Sequence, residues 1–284
     1  MASRSMTVGI FHLVRAANGP APFHAFVRSL RAAVPAADWR LIPIFKGFGG
    51  PADARPYLDE LRGLPVDPLY VPDVGFDIAA YFRAATEVDV PVVGFFNSYC
   101  ELRDPRWFAR FTDALAAPGV GLVGATGSLE SVVRNHRIYG ADAAGAVAKA
   151  RNYALAAGLL AAFPPFPNPH VRTNAFMLRR DHFLATRRFP IERRLASLIY
   201  ESGWPSLTRQ IVGRGLRAVV VNTDGEVLDP PGWARAGTFR SGDQGKTLVW
   251  DNRLTEYARA TPDRQRRLRD LAWGAPDADQ PTRS

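Results

Sequence analysis

The chain has 284 residues, 47% of them apolar, a composition ordinary for a globular protein and enough for one large α/β domain or two small ones. No run of about 18 apolar residues occurs, which argues against a membrane-spanning helix. A single cysteine, Cys100, excludes an intrachain disulfide and a cysteine-built zinc site. The net charge of +9 comes almost wholly from arginine dispersed along the chain. That fits either a GC-rich coding composition or attraction to an anionic partner: a nucleotide diphosphate, an anionic glycan, a lipid headgroup or nucleic acid.

The first strand is expected over residues 7–14. No hydrophobic signal core precedes it, so the expected location is the cytoplasm. An amphipathic helix follows over 23–34, with Phe23, Phe26, Val27, Leu30 and Val34 at helical spacing. A strand over 40–45 contains Pro43, which calls for an edge position or an irregularity. A helix over 54–61, a strand over 68–71 and a helix over 76–86 come next, then a strand over 92–96. A helix over 105–116, with Pro105 in its first turn, leads to a strand over 120–124. This strand–helix alternation predicts a mostly parallel sheet covered by helices on both faces.

The second half is less regular. An alanine-rich helix with a mobile start is expected over 141–162, then a proline-dense loop over 163–169, a strand over 172–178 and a helix opening at Arg180. A helical stretch over 201–213, interrupted at Gly203, leads to the last clear strand, 216–221. The segment 222–252 is polar, glycine-rich and long for a connection, which marks a functional loop. The arginine-dense run Arg264-Gln265-Arg266-Arg267-Leu268-Arg269 reads as a solvated helix face or as a membrane-surface contact. Residues 275–284 read as disordered. There is no Gly-x-Gly-x-x-Gly after the first strand and no phosphate-binding Gly-x-x-x-x-Gly-Lys loop, which disfavours dinucleotide enzymes and P-loop NTPases.

Two polar clusters fall where open α/β sheets bind ligands. Val92-Val93-Gly94-Phe95-Phe96 stops abruptly in Asn97-Ser98-Tyr99, and Asp73-Val74-Gly75-Phe76-Asp77 opens a helix. Together they point to a polar ligand, with sugar nucleotides first. Cys100 follows the first cluster, but no histidine is obviously paired with it, so a small half-buried residue is the favoured reading over a catalytic thiol.

In their order along the chain, these motifs resemble a GT-A type nucleotide-sugar glycosyltransferase, similar to the inverting family 2 enzymes and the rhamnan-synthesis group. The motifs are Asp73–Asp77, Phe95-Phe96-Asn97-Ser98-Tyr99, Gly121–Ser128, His170–Phe176, Glu201-Ser202-Gly203 and Thr238–Gln244, and the resemblance runs from Thr7 to about Trp273. It implies a three-layer αβα sandwich around a mostly parallel central sheet. One domain would fill 1–274, with a nucleotide-binding half over about 7–127 and an acceptor half over about 128–274. It also implies transfer from a nucleotide-sugar donor to a glycan or lipid-linked acceptor in cell-surface polysaccharide synthesis. Peripheral contact with the inner face of the membrane fits that role; nucleic acid does not, because no recognition motif accompanies the charge.

In the family the strand matching 92–96 ends in Asp-x-Asp, whose carboxylates hold Mg²⁺ or Mn²⁺ on the diphosphate. Here the triplet is Asn97-Ser98-Tyr99, without a carboxylate. Glu101 or Asp104 could supply charge from the loop, arginines could replace the metal, or catalysis could be lost, leaving a non-catalytic nucleotide-sugar or glycan-binding protein.

The resemblance assigns further roles. Asp77 is the nucleotide contact, or simply a first-turn acid of its helix. Asp73 is a donor-side residue or shapes the turn before Gly75. Asn97, Ser98 and Tyr99 face the donor, or make a strand-end turn. Arg172, Thr173 and Asn174 meet the acceptor, or tie down the proline-rich loop; His170, with no second histidine at metal-ligand spacing, lines the acceptor side or is structural rather than a metal ligand. Glu201 is the candidate general base, or a helix-capping acid; Asp181 is second choice. Arg240, Asp243 and Gln244 lie in the long loop that would close over the diphosphate, or make a surface turn. Trp233 and Trp250 could stack on sugars, though a core role is commoner.

Overall fold

The computed structural model describes residues 7–141 and 145–275. Its strands are β1 (Val8–Arg15), β2 (Trp39–Lys46), β3 (Leu69–Val71), β4 (Val92–Phe96), β5 (Glu101–Leu102), β6 (Val120–Gly124), β7 (Gly127–Ser128), β8 (His170–Val171), β9 (Ala175–Arg179), β10 (Arg217–Val221), β11 (Val227–Leu228) and β12 (Val249–Trp250). The helices are α1 (Ala21–Ala32), α2 (Pro51–Asp59), α3 (Asp77–Glu87), α4 (Trp107–Ala116), α5 (Val132–Ala141), α6 (Ala146–Leu159), α7 (Arg180–Leu184), α8 (Arg194–Ser202), α9 (Leu207–Val212), α10 (Asn252–Ala258) and α11 (Pro262–Trp273).

Eight strands form the central sheet in the order β11-β10-β6-β9-β4-β1-β2-β3. It is mostly parallel; β9 runs against both β4 and β6, and β11 runs against β10. The strands read as unbroken apolar runs because both faces are covered. Side chains still alternate between two cores. Ile10, Leu41, Phe96, Met177 and Val219 join a cluster under α1, α2 and α4. Phe11, Ile42, Phe95, Phe176 and Val220 join another under α3, α7, α8 and α9. This is the expected three-layer αβα arrangement.

Helix α1 buries Phe23, Phe26, Val27 and Leu30, as their spacing requires. Each contributes about 1.5–3 kcal/mol of apolar burial. Val34 departs from the expected stripe: the helix stops at Ala32 and Val34 is exposed. His12 stacks on Phe26 with ring centroids 3.7 Å apart, and burial lowers its pKa to about 3, so it is a neutral core residue.

Pro43 is not on an edge, since β2 lies between β1 and β3. The irregularity reading is the correct one. Leu41 bonds across to residues 65–67 through both its N–H and its C=O, so by strand alternation Pro43 points the same way. Its missing N–H falls in the gap between the isolated Leu41–Val66 bridge and the start of the β2–β3 ladder at Ile44 and Leu69.

Several boundaries also shift. The second helix starts at Pro51 rather than Ala54, and Pro105 precedes α4 rather than sitting inside it. The strand expected over 172–178 begins only at Ala175, as β9, and residues 172–174 separate it from the short β8 before it. Glu201 lies in the last turn of α8, not at a helix start, so it is no N-terminal cap. The long segment 222–252 carries β11, a 3₁₀ turn over Pro230–Arg235 and β12. The expected mobile start at 142–144 and the tail beyond Ala275 lie outside the described residues.

Among the described residues no helix is long and apolar enough to cross a membrane. In the arginine-dense run, Arg264, Arg266 and Arg269 pair with Glu256, Asp263 and Asp270 on the outside of α11, as a solvated face does.

Candidate functional site

The site is made by the placement of β9. Because β9 runs antiparallel to β4, its first residue, Ala175, pairs with the last of β4, Phe96. Residues 172–174 therefore arrive beside the strand-end triplet 97–99. The Asn97 N–H donates to the Asn174 carbonyl at 2.9 Å, and the Ala125 N–H donates to the Ala175 carbonyl at 3.0 Å on the other side. Three strand ends converge there, at the carboxyl edge of the sheet, where α/β folds bind ligands.

A cleft of about 440 Å³ opens at this edge, within the range of small-molecule sites, roughly 300–1,000 Å³. Of the residues singled out by sequence, Asp77, Asn97, His170, Arg172, Thr173, Asn174 and Glu201 line it. Thr173 Oγ1 donates to Glu201 Oε1 at 2.8 Å, which orients that carboxylate. Glu201 has a raised pKa, first because burial disfavours its charge; the charge of Asp77 adds to this, while the Thr173 bond and Arg172 oppose it. Burial likewise raises the pKa of Asp77, against Arg15 and Lys46. Beneath them the Tyr81 hydroxyl is buried without a partner, and burial holds its pKa well above the usual phenol value, with Asp77 and Glu201 adding.

Arg172 anchors the other wall. It bonds Asp251 Oδ2 through Nη2 at 3.0 Å and Thr126 Oγ1 through Nη1 at 3.2 Å, and Thr126 donates onward to Asn174 Oδ1 at 2.8 Å. Its guanidinium stacks on Phe239, 4.0 Å from the ring centroid. His170 is buried, with Nδ1 2.8 Å from the Asn168 carbonyl; burial lowers its pKa, so the ring is neutral.

The remaining expected residues lie elsewhere. Asp73 sits in a salt bridge with Lys46 and Arg15 at the ends of β2 and β1, and the Lys46 contact leads in lowering its pKa. Ser98 is buried with no partner for Oγ, and Tyr99 is exposed. Asp181 is exposed and held by Arg179, whose hydrogen bond lowers its pKa. Asp243 accepts the Gly245 N–H in an exposed turn. Gln244 is buried, accepting from the Arg240 N–H and donating to the Leu254 carbonyl, which ties the long loop to α10. Trp233 is a core residue, and Trp250 is half-buried against Thr255 and Arg103. Cys100 is fully buried rather than half-buried, with its thiol pKa pushed well up by burial, so it is no nucleophile.

Sequence reading gave no individual role to Glu130, Asn135, Ser202, Asp251, Asn252 and Arg253, all on the cleft wall. Only Asp251 had a local signal: it is the N-cap of α10, accepting from the Arg253 and Leu254 N–H groups at 2.9 Å each.

The strand-end residues do not suit a hard divalent cation, which requires several charged oxygens. Asn97 Oδ1 is already taken by the Tyr99 N–H at 3.0 Å. Glu101 pairs with Arg103, and Asp104 accepts the Arg106 N–H and side chain. Among the described residues no group of three or more His, Cys, Asp or Glu side chains converges.

No protein-family model matches this sequence, and neither does any curated protein. The fold is similar to that of the mannosyltransferase PcManGT from Pyrobaculum calidifontis, whose structure is a complex with GDP-Man and Mn²⁺. The TM-score is 0.51 at 12% identity over 83% of this chain, which spans 61% of the length of that one. S. aureus TarS (1–349), in complex with UDP-GlcNAc, aligns over 42% of this chain and 34% of its own, with a TM-score of 0.36 at 10% identity. At such identities the likeness is one of fold: a mixed α/β chain with a large, mostly parallel sheet, as in a solved glycosyltransferase.

Proposed function

We propose that this chain is a glycosyltransferase of the inverting family 2 or rhamnan-synthesis type. It would move a sugar from a nucleotide-sugar donor to a glycan or lipid-linked acceptor in cell-surface polysaccharide synthesis. The observation that carries the reading is Glu201, a carboxylate of raised pKa oriented by Thr173 at 2.8 Å in the cleft at the carboxyl edge of the sheet. A base poised upward from the ordinary carboxylate range is what proton removal from a sugar hydroxyl favours.

In the reaction an acceptor oxygen attacks the anomeric carbon from the face opposite the diphosphate. Its proton passes to Glu201, the bond from the anomeric carbon to the diphosphate oxygen breaks, and the nucleoside diphosphate leaves. Asp77 contacts the nucleotide, and Asn97 the donor at the strand end. Arg172, Thr173, Asn174 and His170 hold the acceptor side. Ser98, Tyr99, Asp243 and Gln244 act by shaping the strand-end turn and the loop around this space. Asp181, exposed and clamped by Arg179, is set aside as a base. The strand-end triplet Asn97-Ser98-Tyr99, without the carboxylates of Asp-x-Asp, favours one second reading, a nucleotide-sugar or glycan-binding protein without turnover.

A thermal-shift screen with UDP-, GDP-, TDP- and CMP-linked sugars, with and without Mg²⁺ or Mn²⁺, tests donor binding. Nucleotide release is then followed for the wild type and Glu201→Gln. A stabilising donor whose turnover is lost in Glu201→Gln, with the shift retained, supports the transferase. A shift with no release under any metal condition supports the binding protein. Turnover unchanged in the variant removes Glu201 from the chemistry.

A further inference from the structure

Next to the cleft lies apolar surface that no described residue covers. Helix α6 is rich in alanine, valine and leucine, yet none of its described side chains is buried. A helix in a globular chain ordinarily hides one apolar face. Between α6 and α5 is a hollow of about 470 Å³, almost wholly apolar, formed by Ala154, Leu155, Gly158 and Leu159 together with His136 and Arg151. Helix α8 adds Leu195 and Leu198, neighbours on its outer face, while Ser197 and Tyr200 point inward. Trp204 joins the two helices: its Nε1 donates to the Leu160 carbonyl at 2.9 Å and its N–H to the Ala162 carbonyl at 3.0 Å. Leu155, Leu195 and Trp204 are 51%, 56% and 46% exposed. The surface runs to the mouth of the cleft, since Leu198 lines both.

The charge around this surface has one sign. Lys149, Arg151, Arg193 and Arg194 are exposed, and no ion pair among the described residues engages them. Over 145–162 and 193–204 the one acidic residue is Glu201, which belongs to the cleft wall. On α11, by contrast, Arg264, Arg266 and Arg269 each have an acidic partner. Exposed apolar side chains rimmed by unpaired cations select what can cover them. A second copy docked by two-fold symmetry would set this cationic rim against itself, and like charges oppose that contact. An anionic lipid surface supplies the opposite sign and accepts apolar side chains to a depth of roughly 5–10 Å. Trp204, with an apolar body and one polar handle, suits the boundary between headgroups and acyl chains.

We propose that the face formed by α6 and α8 is a docking surface for an anionic lipid bilayer. Leu155, Leu195, Leu198 and Trp204 enter the boundary between headgroups and acyl chains, and Lys149, Arg151, Arg193 and Arg194 meet the anionic headgroups. The contact falls on this face and not on the arginine-dense run of α11, whose cations are already paired. Because Leu198 belongs to both surfaces, a docked chain opens its cleft beside the bilayer. The proposal goes beyond the transferase reading and does not depend on it.

The full chain, without any donor, is sedimented with vesicles of phosphatidylcholine alone and of phosphatidylcholine mixed with phosphatidylglycerol. Leu155→Ser/Leu195→Ser and Arg193→Gln/Arg194→Gln are compared with Arg266→Gln/Arg269→Gln as a control on α11. The four positions changed on the proposed face are exposed, so both variants should keep the thermal midpoint of the wild type. The wild type and the control are expected to bind the mixed vesicles, to leave the neutral ones free and to be released by salt. Each variant of the face should bind the mixed vesicles about tenfold or more weakly. No binding by the wild type, binding by the two variants equal to the wild type, or loss in the control overturns the surface. Light scattering without vesicles supplies a further check: a dimer that Leu155→Ser/Leu195→Ser dissociates assigns the face to a second copy and overturns the lipid contact. Vesicle binding without Glu201-dependent nucleotide release keeps the surface and removes the transferase. Release without vesicle binding removes the surface alone.

Discussion

Replacing Asp251 with alanine tests whether the cleft wall is held as described. The side chain is 1% exposed and has three partners: the Arg253 and Leu254 N–H groups at 2.9 Å each, and Arg172 Nη2 at 3.0 Å. Loss of the helix cap costs about 1 kcal/mol. Removing one member of a buried ion pair costs about 3–5 kcal/mol, because the other charge is left uncompensated. Arg172 is 14% exposed at its side chain, borders the cleft and keeps Thr126 and Phe239, so the lower end applies. The expected total is therefore about 4 kcal/mol. Asp251→Asn keeps the capping oxygen and loses only the charge, so it should cost about half as much. Urea unfolding should show a lower midpoint with an unchanged slope. In a double-mutant cycle with Arg172→Met, the coupling should exceed about 1.5 kcal/mol. An Asp251→Ala chain within about 1 kcal/mol of the wild type would falsify this account of the wall.

The other predictions concern Glu201 and one glycine. Glu201→Gln should lower transfer on the order of a hundred- to ten-thousandfold while donor binding persists, as loss of a general base does. Transfer needs the carboxylate form, so its rate should fall as pH drops through a value above the ordinary glutamate range; a limb at or below that range refutes the assignment. Thr173→Val removes a bond that lowers the Glu201 pKa, so this acid limb should move to higher pH, and an unmoved limb means the contact does not tune the base. Because folding raises the Glu201 pKa, its contribution to stability is fully present below the unfolded value and is lost as pH rises through the folded one. Glu201→Gln should thus melt at or above the wild type at neutral pH, with the difference closing in acid; a variant less stable only at neutral pH contradicts this sign. At Gly127 an added Cβ would lie 2.4 Å from the buried Trp233 ring, so Gly127→Ala should cost about 1–3 kcal/mol by overpacking, read from the thermal midpoint.

Much of the fold was legible because its signals are local. The apolar run Val92–Phe96 and the spacing of Phe23, Phe26, Val27 and Leu30 each report a period that the backbone imposes on itself. Asp77 and Asn97 were legible as residues of the cleft wall for the same reason: polar residues at the end of a buried strand, or at the start of the next helix, mark a sheet's carboxyl edge. The end of α1 before Val34 had a local signal that the spacing argument passed over, since Pro35 disfavours a helical residue before it, whereas the gap that accommodates Pro43 depends on pairing with residues 66–71, distant in sequence.

The sequence by itself determined the three layers, the mostly parallel sheet and the edge at which polar residues collect, because alternation and periodicity need only adjacent residues. Only the tertiary structure decided which side chains meet. Inserting β9 antiparallel between β4 and β6 brings Asn174 to Asn97 and Thr126, while the folding back of α8 and α10 brings Glu201 to Thr173 and Asp251 to Arg172. Those contacts orient the side chains of the cleft, and burial and hydrogen bonding shift the pKa of Glu201. Both are properties of the assembled site and leave no pattern along the chain.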